Sequence, residues 1–475
     1  MATKTAQRKE RLLVGGEWVD SESTLPVTDL ADGGHFAEVV AASPEQANDA
    51  LAAAHEMKET LRQTTVVERA EWMFEIADKL EAREEELAEV IVREAGKPIS
   101  SARGEVGSAA ERFRRAAEEI RQIKGQYREG TTAGHEGWEA IVKHEPIGTV
   151  LCITPYNYPL ATTALQVAPA LAAGNSVVLK PATKTPVSGA ILAEVVNEVV
   201  PDGTLNFVTG KGSEIGDVLA GDDRINAVAM TGSSGAGKHV AKESGMVNLH
   251  MELGGNAPAI VFPDADIDEA AAAAAKGSLK YAGQRCSAVS RVLAHEDVHD
   301  ELVANIEEKM GDWVKGDLFE EDTDLGPLIS EDQADWVEEL VDDAIEKGAT
   351  LVAGGERDGR DFEPTLLADV PHDARIVHEE QFGPVCAVTK VADEDEAVEL
   401  ANEGDLALDA AVFTADYDRA MNLADVIDAG AVRINGAPSH GLGDIPFGGN
   451  KDSGIGREGI DASIHAFLRK KSIVL

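Results

Sequence analysis

INAVAMTGSSGAGKHVAKES, residues 225–244, runs from an apolar strand-like segment at 225–230 through a glycine-rich turn into a helix-like segment at 237–244. A strand-to-helix turn of this kind points free backbone N–H groups at an anion. Gly232 and Gly237-Lys238 fit the spacing of a nucleotide-hydrolase phosphate loop, but His239 stands where that motif needs a Ser or Thr to hold Mg²⁺. The turn suits a dinucleotide pyrophosphate as well as a triphosphate. A hydrolase would also need a metal-holding aspartate, for which Val261-Phe262-Pro263-Asp264 offers a match. A glycine turn with no ligand is the plainest alternative.

Working outward, short apolar runs at 149–154, 176–179 and 205–208 alternate with helical segments such as 186–200. That alternation is the signature of βαβ units on a parallel sheet. Residues from about 44 to 126 carry apolar groups at helical spacing, as in Trp72-Met73-Phe74-Glu75-Ile76-Ala77. A second strand-like series begins at Ala259 and continues at 289–294, 385–391, 410–414 and 432–435, separated by acidic helices. It reads as a second α/β domain, with a boundary near the Gly254-Gly255 pair. A chain of 475 residues is long enough for two or more cores.

The 86 acidic side chains against 43 basic ones give a formal charge of -43, spread through helical segments rather than gathered in a tail. Such self-repulsion destabilises a compact chain in dilute buffer and is screened in concentrated salt, so a salt-adapted protein is expected. Nucleic acid and anionic membrane are poor partners for it, since no basic stripe is present. Three widely spaced cysteines, Cys152, Cys286 and Cys386, argue against a disulfide framework and for a reducing compartment. With no signal-type apolar core after the first residues and no apolar run of spanning length, the expected location is the cytoplasm.

His295-Glu296-Asp297-Val298-His299 is a literal H-E-x-x-H. A zinc site would need both imidazoles on one helix face, whereas a strand runs into His295 and the helix begins after it, so no metal is assigned. The better chemical candidate is Cys286, in Gly283-Gln284-Arg285-Cys286, where an alanine-rich helix breaks before a strand. Adjacent Arg285 could help lower the thiol pKa. Cys152 and Cys386, each within an apolar run, read as inert.

In order, Thr154-Pro155-Tyr156-Asn157-Tyr158-Pro159, Lys180-Pro181-Ala182, Thr231-Gly232-Ser233, Glu252-Leu253-Gly254-Gly255, Gly283-Gln284-Arg285-Cys286, Glu380-Gln381-Phe382-Gly383-Pro384, Pro446-Phe447-Gly448-Gly449 and Ser453-Gly454 resemble the motifs of the aldehyde dehydrogenase superfamily over nearly the whole chain. The resemblance implies an α/β fold with a Rossmann-like dinucleotide-binding domain (1–126 and 143–253), an α/β catalytic domain (254–442) and a small β oligomerisation extension (127–142 and 460–475). It implies oxidation of an aldehyde to the acid with Cys286 as nucleophile, Asn157 and the Cys286 N–H as oxyanion donors and Glu252 as the base that hydrolyses the thioester. Thr154, Lys180, Gly232, Ser233, Glu380 and Phe382 match the cofactor contacts, and a homodimer or homotetramer is the expected assembly.

Thr183 stands where many NAD-using relatives carry a Glu, and Lys184 follows it. A Glu would repel a 2′-phosphate and bind a ribose diol, so NADP is favoured, with NAD as the alternative. Tyr158, Arg285 and the phrase 212–217 look like the archaeal and bacterial non-phosphorylating glyceraldehyde-3-phosphate dehydrogenases, and Arg121 falls where those enzymes place a phosphate-binding arginine. Against that substrate, Ser439 or His440 takes the place of a further arginine. A semialdehyde or lactaldehyde would satisfy the same two arginines.

Overall fold

The computed structural model describes residues 8–439 and 443–475. Its first sheet has eight strands in the spatial order Gly454–Ile455, Asn248–Glu252, Ile225–Thr231, Thr149–Ile153, Ser176–Lys180, Leu205–Phe207, Leu12–Val14 and Glu17–Val19. The five strands from Asn248–Glu252 to Leu205–Phe207 are parallel, and the outer ones are antiparallel. Strand order reverses between Thr149–Ile153 and Ile225–Thr231. A crevice opens beyond the carboxyl ends of strands at such a switch point, and dinucleotides bind there.

The crossover helices follow from the sequence between the strands. Ser233 caps the helix Ser234–Glu243, its side chain accepting from the Ala236 N–H. Gly237 lets that helix close on the sheet, since a Cβ there would lie 2.5 Å from Leu253. Residues 44–120 form five helices, of which Ile99–Ile120 is the longest. Its Ala102, Val106, Ala109, Phe113 and Ala116 form a buried stripe packed on Val66–Ala82 and Ala161–Ala172.

Glu252 ends a strand of the first sheet, and Ala257–Val261 starts a strand of the second. This second sheet has seven strands, all parallel except the edge strand Thr350–Ala353. A third, three-stranded antiparallel sheet joins Gln126–Glu129, Glu139–Pro146 and Leu468–Val474. After the second sheet the chain returns to the first: Gly454–Ile455 pairs beside Met251 and Glu252. The helix Ile460–Ala466 packs on Ile99–Ile120 and Ala161–Ala172, and only the strand after it joins the three-stranded sheet. Among the described residues no helix is long and apolar enough to cross a membrane.

Candidate active site

A cleft of about 600 Å³ opens at the switch point, between Thr154–Asn157, Lys180, Thr183, Gly232–Ser233, Glu252–Gly254, Glu380 and Phe382. A second pocket, of about 340 Å³, is lined by Lys97, Glu105, Arg112, Tyr158, Lys280, Arg285, Ser439 and Glu458. Asn157, Thr231, Glu252 and Cys286 line both. A larger groove along 30–33, 315–331 and 356–363 shares no lining residue with either and is lined by no cysteine, serine or threonine.

Cys286 follows a turn in which Tyr281, Ala282 and Gly283 are all left-handed, with φ of 58°, 49° and 70°. Two non-glycine residues in that region mark strain of the kind stored at functional sites. The turn is held by Gln284, whose Oε1 accepts from the Ile329 N–H at 2.9 Å. Gly255 opposes it, because a Cβ there would lie 2.3 Å from the Cys286 carbonyl oxygen. The Asn157 side-chain amide donates to the Gln284 carbonyl at 2.9 Å, which brings it to the same turn.

Cys286 hydrogen-bonds to Glu252. Burial pushes the thiol well above its ordinary pKa, and the Glu252 carboxylate adds to the shift, with Arg285 opposing it. Arg285 thus lowers the thiol pKa in the direction expected of it, but desolvation and the carboxylate outweigh the guanidinium. Glu252 is also pushed up, by burial and then by Glu458, and one of its carboxylate oxygens has no partner. Glu458 is raised to about 7 by burial and accepts from the Thr231 hydroxyl at 3.2 Å.

In the cleft, Lys180 is buried and its pKa is lowered to about 8 for that reason. Its hydrogen bond is a long one, 3.5 Å to the Pro181 carbonyl. Burial raises Glu380 to about 7, and its carboxylate accepts from the Gly255 N–H at 2.9 Å. Thr154 accepts from the Thr163 hydroxyl at 3.1 Å. The Thr183 hydroxyl donates to the Gly210 carbonyl at 3.3 Å. Phe382, left-handed at φ 49°, sets its ring 5.8 Å from that of Tyr156. The Ser234 hydroxyl is buried without a partner beside Gly254, at the start of a ten-residue helix. An unsatisfied hydroxyl, an under-bonded lysine and a helix N-terminus fit a dinucleotide's pyrophosphate and ribose. Lys238 is turned away from that cleft and pairs with Asp452, while His239 meets Asp217 at 2.7 Å.

Of the substrate residues expected from the sequence, Tyr158 and Arg285 line the pocket and Arg121 does not. Arg121 caps the far end of its helix, exposed, with its guanidinium 5.2 Å from the Phe74 ring centroid. The arginine of that helix that reaches the pocket is Arg112, two and a half turns earlier. It is buried, with Nε and Nη1 unpartnered, and Arg285 Nε is likewise unpartnered. The sequence motifs also pass over Glu105, Glu458 and Lys97. Ser439 lines the pocket, and His440 lies outside the described residues. In the H-E-x-x-H run, His295 ends a strand and His299 begins a helix, bonded to Asp300. Among the described residues no group of three His, Cys, Asp or Glu side chains could hold a metal ion.

A switch-point cleft that meets a pocket at a thiol, a carboxylate and an amide is the arrangement that a dinucleotide-dependent oxidoreductase requires. The chain belongs to the aldehyde dehydrogenase family, whose model matches residues 18–473. It is 38% identical over 464 residues to an NADP-dependent glyceraldehyde-3-phosphate dehydrogenase of Streptococcus equinus, covering 97% of each chain. It is 37% identical to a 3-sulfolactaldehyde dehydrogenase of Priestia aryabhattai, covering 100% of each. The NADP complex of an NADP-dependent glyceraldehyde-3-phosphate dehydrogenase from Bacillus halodurans C-125 superposes with a TM-score of 0.97 at 38% identity, over 99% of each chain. The protein is an NAD(P)-dependent aldehyde dehydrogenase.

Proposed function

We propose that the enzyme oxidises a small aldehyde carrying an anionic group, glyceraldehyde 3-phosphate foremost, with NADP as the preferred cofactor. The observation that carries this reading is the set of three unpartnered guanidinium nitrogens, on Arg112 and Arg285, buried in the pocket that ends at Cys286. Buried donors without partners are costly, and a phosphate or another tetrahedral anion would satisfy them with charge-assisted bonds. Tyr158 closes the same wall.

Cys286 attacks the aldehyde carbon once Glu252 has taken its proton. The Asn157 amide and the Cys286 backbone N–H hold the resulting oxyanion. A nicotinamide bound in the cleft would supply the hydride acceptor that conversion of the Cys286 adduct to a thioester requires. Once that proton has passed to solvent, the Glu252 carboxylate activates water for hydrolysis, with its unpartnered oxygen as the receiving atom. Lys180 and Glu380 would hold ribose hydroxyls, and Ser233 and the helix behind it would face the pyrophosphate. Thr183, with no carboxylate at that wall, leaves room for a 2′-phosphate. Relatives named as NADP-dependent support the same choice.

The three-stranded sheet exposes Tyr127, Ile141, Ile473 and Val474, which supports its reading as the surface that joins copies of the chain. The division into cofactor, catalytic and extension domains, and a cytoplasmic location, are part of the same proposal. The test is a comparison of kcat/KM for glyceraldehyde 3-phosphate, 3-sulfolactaldehyde, succinate semialdehyde, lactaldehyde and an uncharged aldehyde of similar size, each with NADP and with NAD. Equal efficiency on charged and uncharged aldehydes would refute the anionic assignment.

A further inference from the structure

Lys97 lies where the two segments that build the oxyanion site come together. Its Nζ sits 3.5 Å from the centroid of the Tyr158 ring and 4.5 Å from that of Tyr281. The two rings meet nearly edge to face at 6.1 Å. Tyr158 follows Asn157 directly, and Tyr281 opens the left-handed turn that leads to Cys286. The Lys97 side chain is 2% exposed and is ion-paired with Glu105. The other Glu105 oxygen accepts from the Leu160 and Ala161 N–H groups at 3.0 and 3.1 Å, so it also fixes the first turn of the helix behind Asn157. The Tyr281 hydroxyl donates to the Ala95 carbonyl at 2.7 Å, tying the approach to Cys286 to the turn that carries Lys97.

Stability is a weak reason for this arrangement. A buried ion pair recovers its desolvation cost only in part, and an apolar filling of the same volume often does as well. What the pair adds is a cation between two aromatic faces that belong to different parts of the site. We propose that Lys97 is a positioning residue for the oxyanion site: clamped by Glu105, its charge draws Tyr158 and Tyr281 together and keeps the Asn157 amide and the Cys286 N–H aimed at one oxygen. This rests on those two groups being the oxyanion donors of the proposed function.

The role requires the charge. Burial lowers the Lys97 pKa to about 8, with Glu105 opposing the shift and Lys280 and Arg112 adding to it. The groups that face it are Glu105 and Arg112 on Ile99–Ile120, Tyr158 after Asn157, and Lys280 and Tyr281 before Cys286. Glu94 stands next in line and acts on Tyr281. A lysine lowered to about 8 is charged below that pH and neutral above it. Acylation should therefore fall above about pH 8, even as the Cys286 thiolate becomes more abundant.

The experiment is the rapid-mixing burst of reduced NADP, followed from pH 6 to 10 in high salt at saturating cofactor. Lys97→Met should slow the burst at pH 7.5 tenfold or more with the NADP dissociation constant changed less than twofold; a smaller slowing overturns the proposal. Lys97→Arg, which stays charged, should carry the alkaline fall more than one pH unit upward, and an unmoved fall also overturns it. If neither variant folds, Glu105→Gln decides: it keeps an acceptor for the backbone amides, removes the counter-charge and should move the fall to lower pH, and an unmoved fall is again fatal. Cys286→Ala distinguishes the two levels of inference. A burst in that variant would defeat the assignment beneath the proposal, whereas a silent Cys286→Ala beside an undiminished Lys97→Met defeats the proposal alone.

Discussion

The Cys286 thiol and the Glu252 carboxyl share a hydrogen bond, and burial pushes the pKa of both groups up. In the proposed mechanism this contact lets the carboxylate that activates water act first on the thiol. Burial and the carboxylate together favour the thiol over the thiolate.

Glu252→Gln tests the sharing directly. Loss of the carboxylate removes the second-largest cause of the raised Cys286 pKa and leaves the largest, burial. The midpoint of the pH dependence of iodoacetamide alkylation should fall, yet stay above that of an ordinary cysteine, about 8.5. The same variant should give a burst of reduced cofactor and then stall, because thioester hydrolysis has lost its base. An alkylation midpoint that stays put or rises would show that Glu252 does not act on the thiol.

Arg112 and Arg121 make a paired test on one helix. Arg112→Ala should raise the KM for glyceraldehyde 3-phosphate by about ten- to a hundredfold, the equivalent of about 1.5–3 kcal/mol for a hydrogen bond to a charged group. The KM of an uncharged aldehyde should change far less. Arg121→Ala should leave both within about twofold, since its guanidinium rests on Phe74 at the surface. A larger effect at Arg121 than at Arg112 would reverse the assignment.

Thr183→Glu should move the cofactor preference from NADP toward NAD. The added carboxylate would repel a 2′-phosphate and offer acceptors to a free ribose diol. Catalytic efficiencies with both cofactors, in parent and variant at one fixed salt concentration, give the ratio. If that ratio does not move, Thr183 does not face the ribose.

Stability should fall between about pH 5 and 7. Burial raises Glu94, Glu380, Asp409 and Glu458 each to about 7. A carboxyl raised in the folded state binds its proton more tightly than in the unfolded chain, so its contribution is complete below about 4.5 and lost as pH rises through 7. Glu252, also raised by burial, adds to the carboxyls, while His250, lowered to about 4 by burial, and His144, also lowered by burial, work in the opposite direction below about 6.5. Thermal midpoints in 2 M KCl should show the net decline, and Glu94→Gln should flatten it. A midpoint that climbs steadily from pH 5 to 7 would mean that the buried carboxyls do not hold their protons in the folded state.

Salt should act on the same midpoint through the formal charge of -43. The screening length shrinks from about 10 Å at 0.1 M to about 3 Å at 1 M, so activity and thermal midpoint should rise with KCl into the molar range. Full stability in dilute buffer would rule out salt adaptation.

Much of this site can be read from the sequence because its parts sit where regular structure ends. Asn157, Lys180, Ser233, Glu252 and Cys286 all lie at or just beyond the end of a strand or helix, and short motifs record such turns. Arg112 is different in kind. It lies within a helix that also carries Arg103, Arg114 and Arg115, and periodicity identifies the helix without saying which arginine faces inward. A signal was there: Glu105 and Arg112 are seven residues apart, on the face marked by buried Ala102, Ala109 and Ala116. Two charges at core positions of an otherwise alanine-lined stripe point to a partner on that side. Lys97 and Glu458 carry no comparable mark, because the Tyr158 and Tyr281 rings that flank Lys97 and the Thr231 hydroxyl that meets Glu458 come from distant parts of the chain. The raised pKa of Cys286 was beyond reach for the same reason: a neighbouring arginine is visible in the sequence, and an opposing carboxylate 34 positions away is not.

The strand Gly454–Ile455 lies against Met251 and Glu252, and Leu468–Val474 against Glu139–Pro146, so the first lobe is closed by segments that come after the whole second sheet in the chain. A ribosome will have released the nucleophile, the base and the whole second sheet while the strand bearing Glu252 still has an open edge. The strand that carries the base therefore completes its pairing only after the segment that carries the thiol has been made. A nascent chain stalled short of residue 454 would be folded in large part and still unable to turn over.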